Sequence, residues 1–220
     1  MSKESCETNP SDFLAPSPEV LRDLLGNIDI YLFDQVLKGR FKPGMTILDA
    51  GCGEGRNIAF FLRCGFNVFA VDSSPKKIEK LRRMPAGLTS PLPPEHFRVG
   101  QVDALSFDDG SFDAVISNAV LHFASDEAQF RAMLLEMWRV LRPGGFLFCR
   151  LASSIGIEDR IEHLSGRRYS LPDGTDRFLV DEAMLLSLTG ELEGRLLDPI
   201  KTVNVQNERC MTTWVVEKRG

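Results

Sequence analysis

The sequence predicts an α/β protein built on an open, doubly wound, mostly parallel sheet of seven strands that ends in a C-terminal antiparallel hairpin. Two observations carry this expectation. From residue 45 to 150, short apolar runs of β type alternate with helical patterns, the rhythm of strands covered by helices on both faces. Near the C-terminus, two strand-type runs at 197–205 and 210–217 flank a polar turn at 206–209, the spacing of an edge hairpin.

The elements follow in order. Residues 1–16 are polar, hold Pro10 and Pro16 and lack a hydrophobic period, so they read as a disordered leader. Ser17–Pro18–Glu19 supplies an N-cap, a first-turn proline and a first-turn acid, and Gly26 a stop, which predicts a helix between them. A second helix is expected over 29–37, closed by Gly39; its Ile30, Tyr31, Phe33, Val36 and Leu37 are too many for a free amphipathic stripe, so it should lie on apolar surface. Residues 17–44 are therefore expected to form a helical lid. Strands are predicted at Thr46–Ala50, Asn67–Asp72, Phe97–Val102, Phe112–Asn118 and Phe146–Arg150, with helices at 55–64, from Ser74 through KKIEKLRR, and at about 125–141. Residues 85–94 (PAGLTSPLPP) read as an inserted surface loop. Residues 151–179 lose the periodicity and are expected to be a variable segment on the substrate side, before a helix at 181–188 and the hairpin. Residues 17–220 are thus taken as one domain with its core at 45–150, an insert at 151–179 and a terminal helix and hairpin at 180–220.

Composition narrows the function. The chain has 220 residues, with 26 Lys plus Arg and 31 Asp plus Glu, a net charge of −5. Such a balance argues against a broad nucleic-acid footprint and favours a small-molecule partner. No run approaches the roughly 20 apolar residues of a membrane span, and the N-terminus shows no secretory pattern, so a cytoplasmic protein without a membrane partner is expected. Five scattered cysteines, Cys6, Cys52, Cys64, Cys149 and Cys210, offer neither a disulfide framework nor a thiolate metal site.

The chemistry concentrates in Asp49–Ala50–Gly51–Cys52–Gly53–Glu54–Gly55, which leaves a buried strand and enters a helix. Glycines there let the backbone turn sharply and approach a ligand closely. Asp72 ends the next strand 23 residues after Asp49, and an acid in that place can accept both hydroxyls of a ribose. An adenosine-bearing cofactor is implied. The dinucleotide fingerprint G-x-G-x-x-G/A would put Arg56 at its third small position, where close helix–strand packing needs a small residue, so a nicotinamide-dependent oxidoreductase is disfavoured.

The loop resembles D/E-x-G-x-G-x-G, the first motif of the Rossmann-like class I S-adenosylmethionine-dependent methyltransferases. The resemblance continues through VDSS at 71–74, VDALSF at 102–107, FDAVISNAVLHF at 112–123 and MWRVLRPGGFL at 137–147. Within the family it is closest in character to the small type 11 and type 25 methyltransferase domains. Arg56–Asn57 adds a loose similarity to methyltransferases of the tellurite-resistance type.

The resemblance implies S-adenosylmethionine as cofactor and methyl transfer to a small acceptor. It implies that the Gly51–Gly55 backbone, with Cys52, Gly53 and Asn57, runs beside the methionine moiety, and that Asp49 orients the loop and helps to receive the ammonium. Asp72 would bind the ribose and Ser73 the adenine edge; Asp103 would accept from the adenine amino group and the Ala104 backbone would pair with the ring. Asn118 and Ala119 would line the methionine end. His122 is the candidate base, with loop fixing as its other reading. Arg150 could clamp an acceptor oxyanion or pair with an acid, and Ser153 and Ser154 follow it towards the same pocket. Tyr31 and Phe33 could cover the site from one side, and Arg167, Arg168 and Tyr169 from the other. A non-catalytic S-adenosylmethionine-binding regulatory domain is the alternative.

Overall fold

The computed structural model of the chain describes residues 17–83 and 93–220; the expected leader at 1–16 and most of the 85–94 loop lie outside the described residues. The strands β1 (Thr46–Ala50), β2 (Asn67–Asp72), β3 (Phe97–Val99), β4 (Phe112–Asn118), β5 (Leu141–Ser153), β9 (Gly194–Leu196), β10 (Lys201–Val205) and β11 (Arg209–Lys218) form one sheet. Its order is β10-β11-β5-β4-β1-β2-β3, and β9 pairs with β11 off this path. The five strands from β3 to β5 run parallel, while β11 is antiparallel to β5, β10 and β9. The expected seven-stranded sheet and its terminal hairpin are therefore present, with β9 as an addition.

The helices are α1 (Pro18–Leu25), α2 (Ile30–Leu37), α3 (Ile58–Arg63), α4 (Pro75–Arg82), α5 (Glu127–Val140) and α6 (Glu182–Glu191). Alternating residues of the strands face opposite layers, as strand geometry requires. Leu48, Val115 and Trp214 join Phe130, Met137 and Leu185 of α5 and α6 on one side. Ile47, Ile116 and Val215 join Leu32, Phe61 and Ile78 of α2, α3 and α4 on the other. Side-chain caps place the helix starts: Ser17 Oγ accepts from Val20 N at 3.4 Å, Asp126 from Gln129 N at 2.8 Å and Asp181 from Met184 N at 2.7 Å.

Several boundaries differ from the sequence expectation. Helix α3 starts at Ile58 rather than Gly55 because Gly53 and Gly55 hold left-handed backbone (φ +57° and +79°), which ends any helical hydrogen bonding there. Strand β3 stops at Val99, and Gly100 N instead donates to Asp72 O at 3.1 Å. The segment at 151–179 is ordered: β5 extends to Ser153, and β6 (Glu162–Ser165), β7 (Arg168–Ser170) and β8 (Asp176–Phe178) form a three-stranded antiparallel sheet. Its strands are three or four residues long, β6 exposed, β7 half-buried and β8 buried only at Phe178, which is why no hydrophobic period announces them.

Trp214 is fully buried on β11, and its indole Nε1 donates to Thr189 Oγ1 of α6 at 3.0 Å. Thr189→Val keeps the shape and removes the acceptor. The orphaned N–H is expected to cost about 1–3 kcal/mol, seen as a lower urea midpoint at unchanged slope.

Candidate functional site

Leaving β1, the chain extends to β2 and β3, then returns to β4 on β1's other side. At such a reversal the connections diverge and open a crevice beyond the strands' carboxyl ends. A cavity of about 640 Å³ occupies it. The glycine loop forms one wall. Gly51 N and Cys52 N both donate to Val71 O, at 2.8 and 3.0 Å, so the loop stays bound to β2 as it turns. Asp72 then fixes its middle: one carboxylate oxygen accepts from Gly53 N and the other from Ser74 N, each at 2.9 Å. Lys77 Nζ stands 3.6 Å from the same carboxylate.

Gly51, Cys52, Gly53, Asn57, Asp72, Ser73, Asp103, Asn118 and Ala119 all line the cavity. Gly55 does not; a Cβ there would meet Leu81 Cδ2 at 2.2 Å, so its place is against α4. Asn57 is buried and uses its side-chain oxygen to accept from Asp29 N at 3.0 Å, which ties the start of α2 to the loop. Asp103 Oδ2 accepts from Gln129 Nε2 at 3.2 Å. Ala104 lies off the wall, its N–H donated to Gln101 O at 3.3 Å within a turn. Ala119 holds a left-handed backbone (φ +60°) and donates its N–H to Arg150 O at 2.7 Å, a conformation that costs a residue with a Cβ about 1–2 kcal/mol.

Two buried polar atoms near the loop have no partner among the described residues. Asp49, 1% exposed and one layer behind the wall, leaves Oδ2 unpaired; Asn118, 8% exposed and on the wall, leaves Nδ2 unpaired. Burial pushes the Asp49 carboxyl up to about 7, against the pull of Arg56 and with a further push from Asp72.

His122 lies off the cavity wall. It is 5% exposed, in a short 3-10 turn (Leu121–Phe123), and its Nδ1 accepts from Ala152 N at 3.1 Å. Burial and then the charges of Arg177 and Arg150 lower its pKa to about 4. Neutral, with Nδ1 accepting, the ring carries its proton on Nε2, so it fastens the turn to β5 and offers no free basic nitrogen.

The expected acceptor-side residues are already engaged. Arg150 Nη1 pairs with Asp29 Oδ2 at 3.2 Å, and its guanidinium lies 4.9 Å from the centroid of the Tyr31 ring. Of the two readings of Arg150, the structure shows the one in which it pairs with an acid. Phe33 packs edge-on against Phe60, ring centroids 5.7 Å apart, on the α3 side. Arg168 Nη1 donates to Ala124 O at 3.1 Å, Arg167 pairs with Asp181 at 2.9 Å, and Tyr169 packs against His163. Ser153 is buried and accepts from Thr212 Oγ1 at 2.6 Å, and Ser154 Oγ donates to Val180 O at 3.5 Å.

The sequence did not single out Gln101, Val102, Phe123, Gln129 or Met133, all of which line the cavity. Phe123 is 60% exposed at the wall, with Arg177 of β8 stacked 4.8 Å from its ring. An aromatic residue directly after His122 in the connection beyond β4 is the one signal that could have found it.

Residues 48–149 match a protein family described as a methyltransferase domain. The 2-methyl-6-phytyl-1,4-hydroquinone methyltransferase of Synechocystis is 40% identical over 106 residues, 48% of this chain and 31% of that protein. The ubiquinone biosynthesis O-methyltransferase of Methylocella silvestris is 34% identical over 134 residues, 58% of this chain and 48% of that protein. This chain thus spans a third to a half of these curated relatives. An S-adenosylmethionine-dependent methyltransferase of Methanosarcina mazei superposes with a TM-score of 0.70 at 22% identity, over 84% of this chain and 97% of its own, and shares the fold. Residues 48–149 are thus similar in sequence to the methyltransferase-domain family, and the strand order around the glycine loop and the acid at the end of β2 is the fold shared with the Methanosarcina mazei structure.

Proposed function

We propose that the chain binds S-adenosylmethionine in this cavity and transfers its methyl group to a small-molecule acceptor by in-line displacement. The observation that carries the reading is one wall that combines the Asp72-anchored glycine loop with Asp103 and the unpaired amide of Asn118. The residues present fit the cofactor. Its volume, about 640 Å³, lies within the range of small-molecule sites, roughly 300–1,000 Å³. Among the residues lining the cavity, Asp72 would accept from ribose hydroxyls, Ser73 would meet the adenine edge and Asp103 an adenine amino group, while Val102 and Met133 would supply apolar surface. Cys52, Asn57 and the backbone from Gly51 to Gly53, with Asn118 and Ala119 beside them, would hold the methionine end.

When bound, S-adenosylmethionine supplies a methyl group on a sulfonium that is its own leaving group, so the protein's work is alignment and exclusion of water. Helix α2 is tied to the loop before α3 through Asp29 on Asn57, and the β6–β8 sheet meets the connection after β4 through Arg177 on Phe123. They form the acceptor side of the site, with Tyr31 and Phe123 as apolar contact and His122 as a fixed neutral post. Arg150 and Arg168 act there through Asp29 and Ala124 rather than as free clamps. The relatives' names, a 2-methyl-6-phytyl-1,4-hydroquinone methyltransferase and an O-methyltransferase of ubiquinone biosynthesis, support a small organic acceptor. The negative net charge supports a site that does not serve nucleic acid, and among the described residues no helix is long and apolar enough to cross a membrane. A cytoplasmic setting is part of this proposal.

Calorimetric titration with S-adenosylmethionine, S-adenosylhomocysteine and NAD tests the reading. Micromolar binding of the two adenosyl ligands and none of NAD is expected; the reverse order would overturn it. Asp72→Ala removes the acid and the anchor of Gly53 N together. A charge-assisted bond contributes roughly 1.5–3 kcal/mol, so S-adenosylhomocysteine affinity is expected to fall about 10- to 100-fold with the fold retained by circular dichroism.

A further inference from the structure

The acceptor side of the cavity holds an arginine with no carboxylate partner. Phe123 lines the cavity and is largely exposed, which places its ring at the cavity's mouth, and the guanidinium carbon of Arg177 lies over that ring, 4.8 Å from its centroid. Arg150 and Arg167 are paired with Asp29 and Asp181. Arg177, partly exposed, pairs with no carboxylate among the described residues; its side chain makes a single hydrogen bond there, from Nη1 to the backbone of its neighbour, Asp176 O, at 2.8 Å. The acid of the adjoining connection is taken, since Asp126 accepts from Gln129 N at 2.8 Å and from Ser125 Oγ at 3.1 Å. The position of Arg177 is also fixed. Phe178, next to it on β8, is fully buried and stacks on Phe130 of α5 with centroids 4.7 Å apart. Strand β7 pairs Tyr169 with Arg177 and, through Arg168 Nη1, donates to Ala124 O beside Phe123.

A guanidinium that lies over an aromatic ring keeps its in-plane donors for an oxyanion, and the ring restricts the freedom it would lose on binding one. Nε and Nη2 of Arg177 are uncommitted among the described residues. With His122 neutral and Arg150 held by Asp29, Arg177 leaves this mouth with an uncompensated positive charge, in a chain whose net charge is −5. Arg168 adds a second, its Nη1 used on the Ala124 carbonyl. We propose that Arg177, borne on Phe123, recognises the methyl acceptor, and that the acceptor is a small organic acid whose carboxylate meets the guanidinium at the mouth while the rest of the molecule extends into the cavity. The inference rests on the function proposed above and deepens it by naming the acceptor's class. The clamp expected of Arg150 thus falls to an arginine of the β6–β8 sheet. That sheet lies outside residues 48–149, the part that matches the methyltransferase-domain family, so acceptor choice is carried by a segment particular to this chain.

The test is run on protein saturated with S-adenosylhomocysteine, by ligand-observed NMR titration. Benzoate, cinnamate and hexanoate are each compared with their uncharged carboxamides on wild type, Arg177→Met and Arg177→Lys. Arg177→Met retains the length and apolar stem of the side chain, and Arg177→Lys retains the charge without the fork. At least one acid is expected to bind wild type about 3- to 10-fold more tightly than its amide, between the scale of an exposed ion pair and that of a buried charged bond. That preference should vanish in Arg177→Met and persist in part in Arg177→Lys, with amide binding unchanged in both. S-adenosylhomocysteine affinity is expected to stay unchanged in both variants, since Arg177 lies off the cavity wall. A preference that survives Arg177→Met, equal binding of acid and amide, or binding of no acid at all overturns the acceptor assignment while the cofactor site stands. Failure of S-adenosylhomocysteine to bind the unaltered protein overturns the cofactor reading itself, whatever the variants do.

Discussion

Gly53→Val is expected to abolish detectable binding of S-adenosylhomocysteine, a loss of more than 100-fold, in a protein that still folds. Gly55→Ala is expected to do the opposite, weakening the fold more than the site. Both glycines have left-handed backbone, at φ +57° and +79°, so both variants carry about 1–2 kcal/mol of strain, somewhat more for the β-branched valine. What separates them is the space each new Cβ meets. At Gly53 it meets nothing within 4 Å, and Gly53 lines the cavity. A valine there takes up ligand room and shifts the N–H held by Asp72 Oδ2. At Gly55 it would meet Leu81 Cδ2 at 2.2 Å, and Leu81 is buried in the core beneath α4. Overpacking of that kind costs about 1–3 kcal/mol, which brings the total for Gly55→Ala to about 2–5 kcal/mol. Urea unfolding and ligand titration on both variants check the pair. A Gly53→Val protein that binds as tightly as wild type would remove the loop from the ligand's path.

The contrast between these glycines also shows what the sequence could and could not say about the site. A glycine pattern after a buried strand reports a backbone that turns sharply, and the structure does place that turn at the carboxyl ends of β1 and β2. It does not report which glycine faces a ligand and which faces a neighbouring helix, because that depends on where Leu81 comes to rest. Asp72 was legible because it ends a strand at the sheet's reversal, where ligands sit, and Asp103, four residues beyond the end of β3, was legible only through the family resemblance. Arg56 was read only for what it excluded, since its partners Asn118 and Asp29 lie 62 and 27 residues away in sequence. His122 shows the same gap. A histidine just after β4 suggested a base, yet the Ala152 N–H that occupies its Nδ1 belongs to a distant strand. The β6–β8 sheet was invisible because strands of three or four residues, of which only Phe178 is buried, are too short to carry an alternation for a pattern to detect. Parallel strands buried on both faces, such as β4 with every residue buried, were the clearest part of the chain.

Asp49 makes ligand affinity depend on pH in a direction fixed by its burial. In the folded protein without ligand its carboxyl titrates near 7, against an ordinary value of 3.8, so between these two values the folded state holds a proton that the unfolded chain has released. Asp49's contribution to the stability of the unliganded protein is therefore expected to fall as pH rises from about 4 to about 7, by on the order of 4 kcal/mol. His122, lowered from 6.5 to about 4, contributes with the opposite sign between those two values, so the Asp49 contribution is read as the difference between wild type and Asp49→Asn. A cation brought to the loop, such as the ammonium of the adenosyl amino acid, stabilises the ionised carboxylate. Binding below pH 7 then releases a proton, and affinity for S-adenosylhomocysteine is expected to rise with pH, by up to about tenfold per unit between pH 5.5 and 7. His122, at about 4, titrates below this window, and the Cys52 thiol is pushed up by burial and stays neutral throughout. Asp49→Asn keeps the shape and removes the proton. It is expected to flatten the pH dependence of affinity, weaken binding at pH 7.5 about tenfold, and raise the urea midpoint of the unliganded protein at that pH. Titration in two buffers of different ionisation enthalpy counts the released proton directly. An unaltered slope in Asp49→Asn would place the titrating group elsewhere and leave Asp49 as part of the strand's support, whereas a flattened slope with a more stable apo protein would show that the fold tolerates a buried acid in order to receive a positive charge.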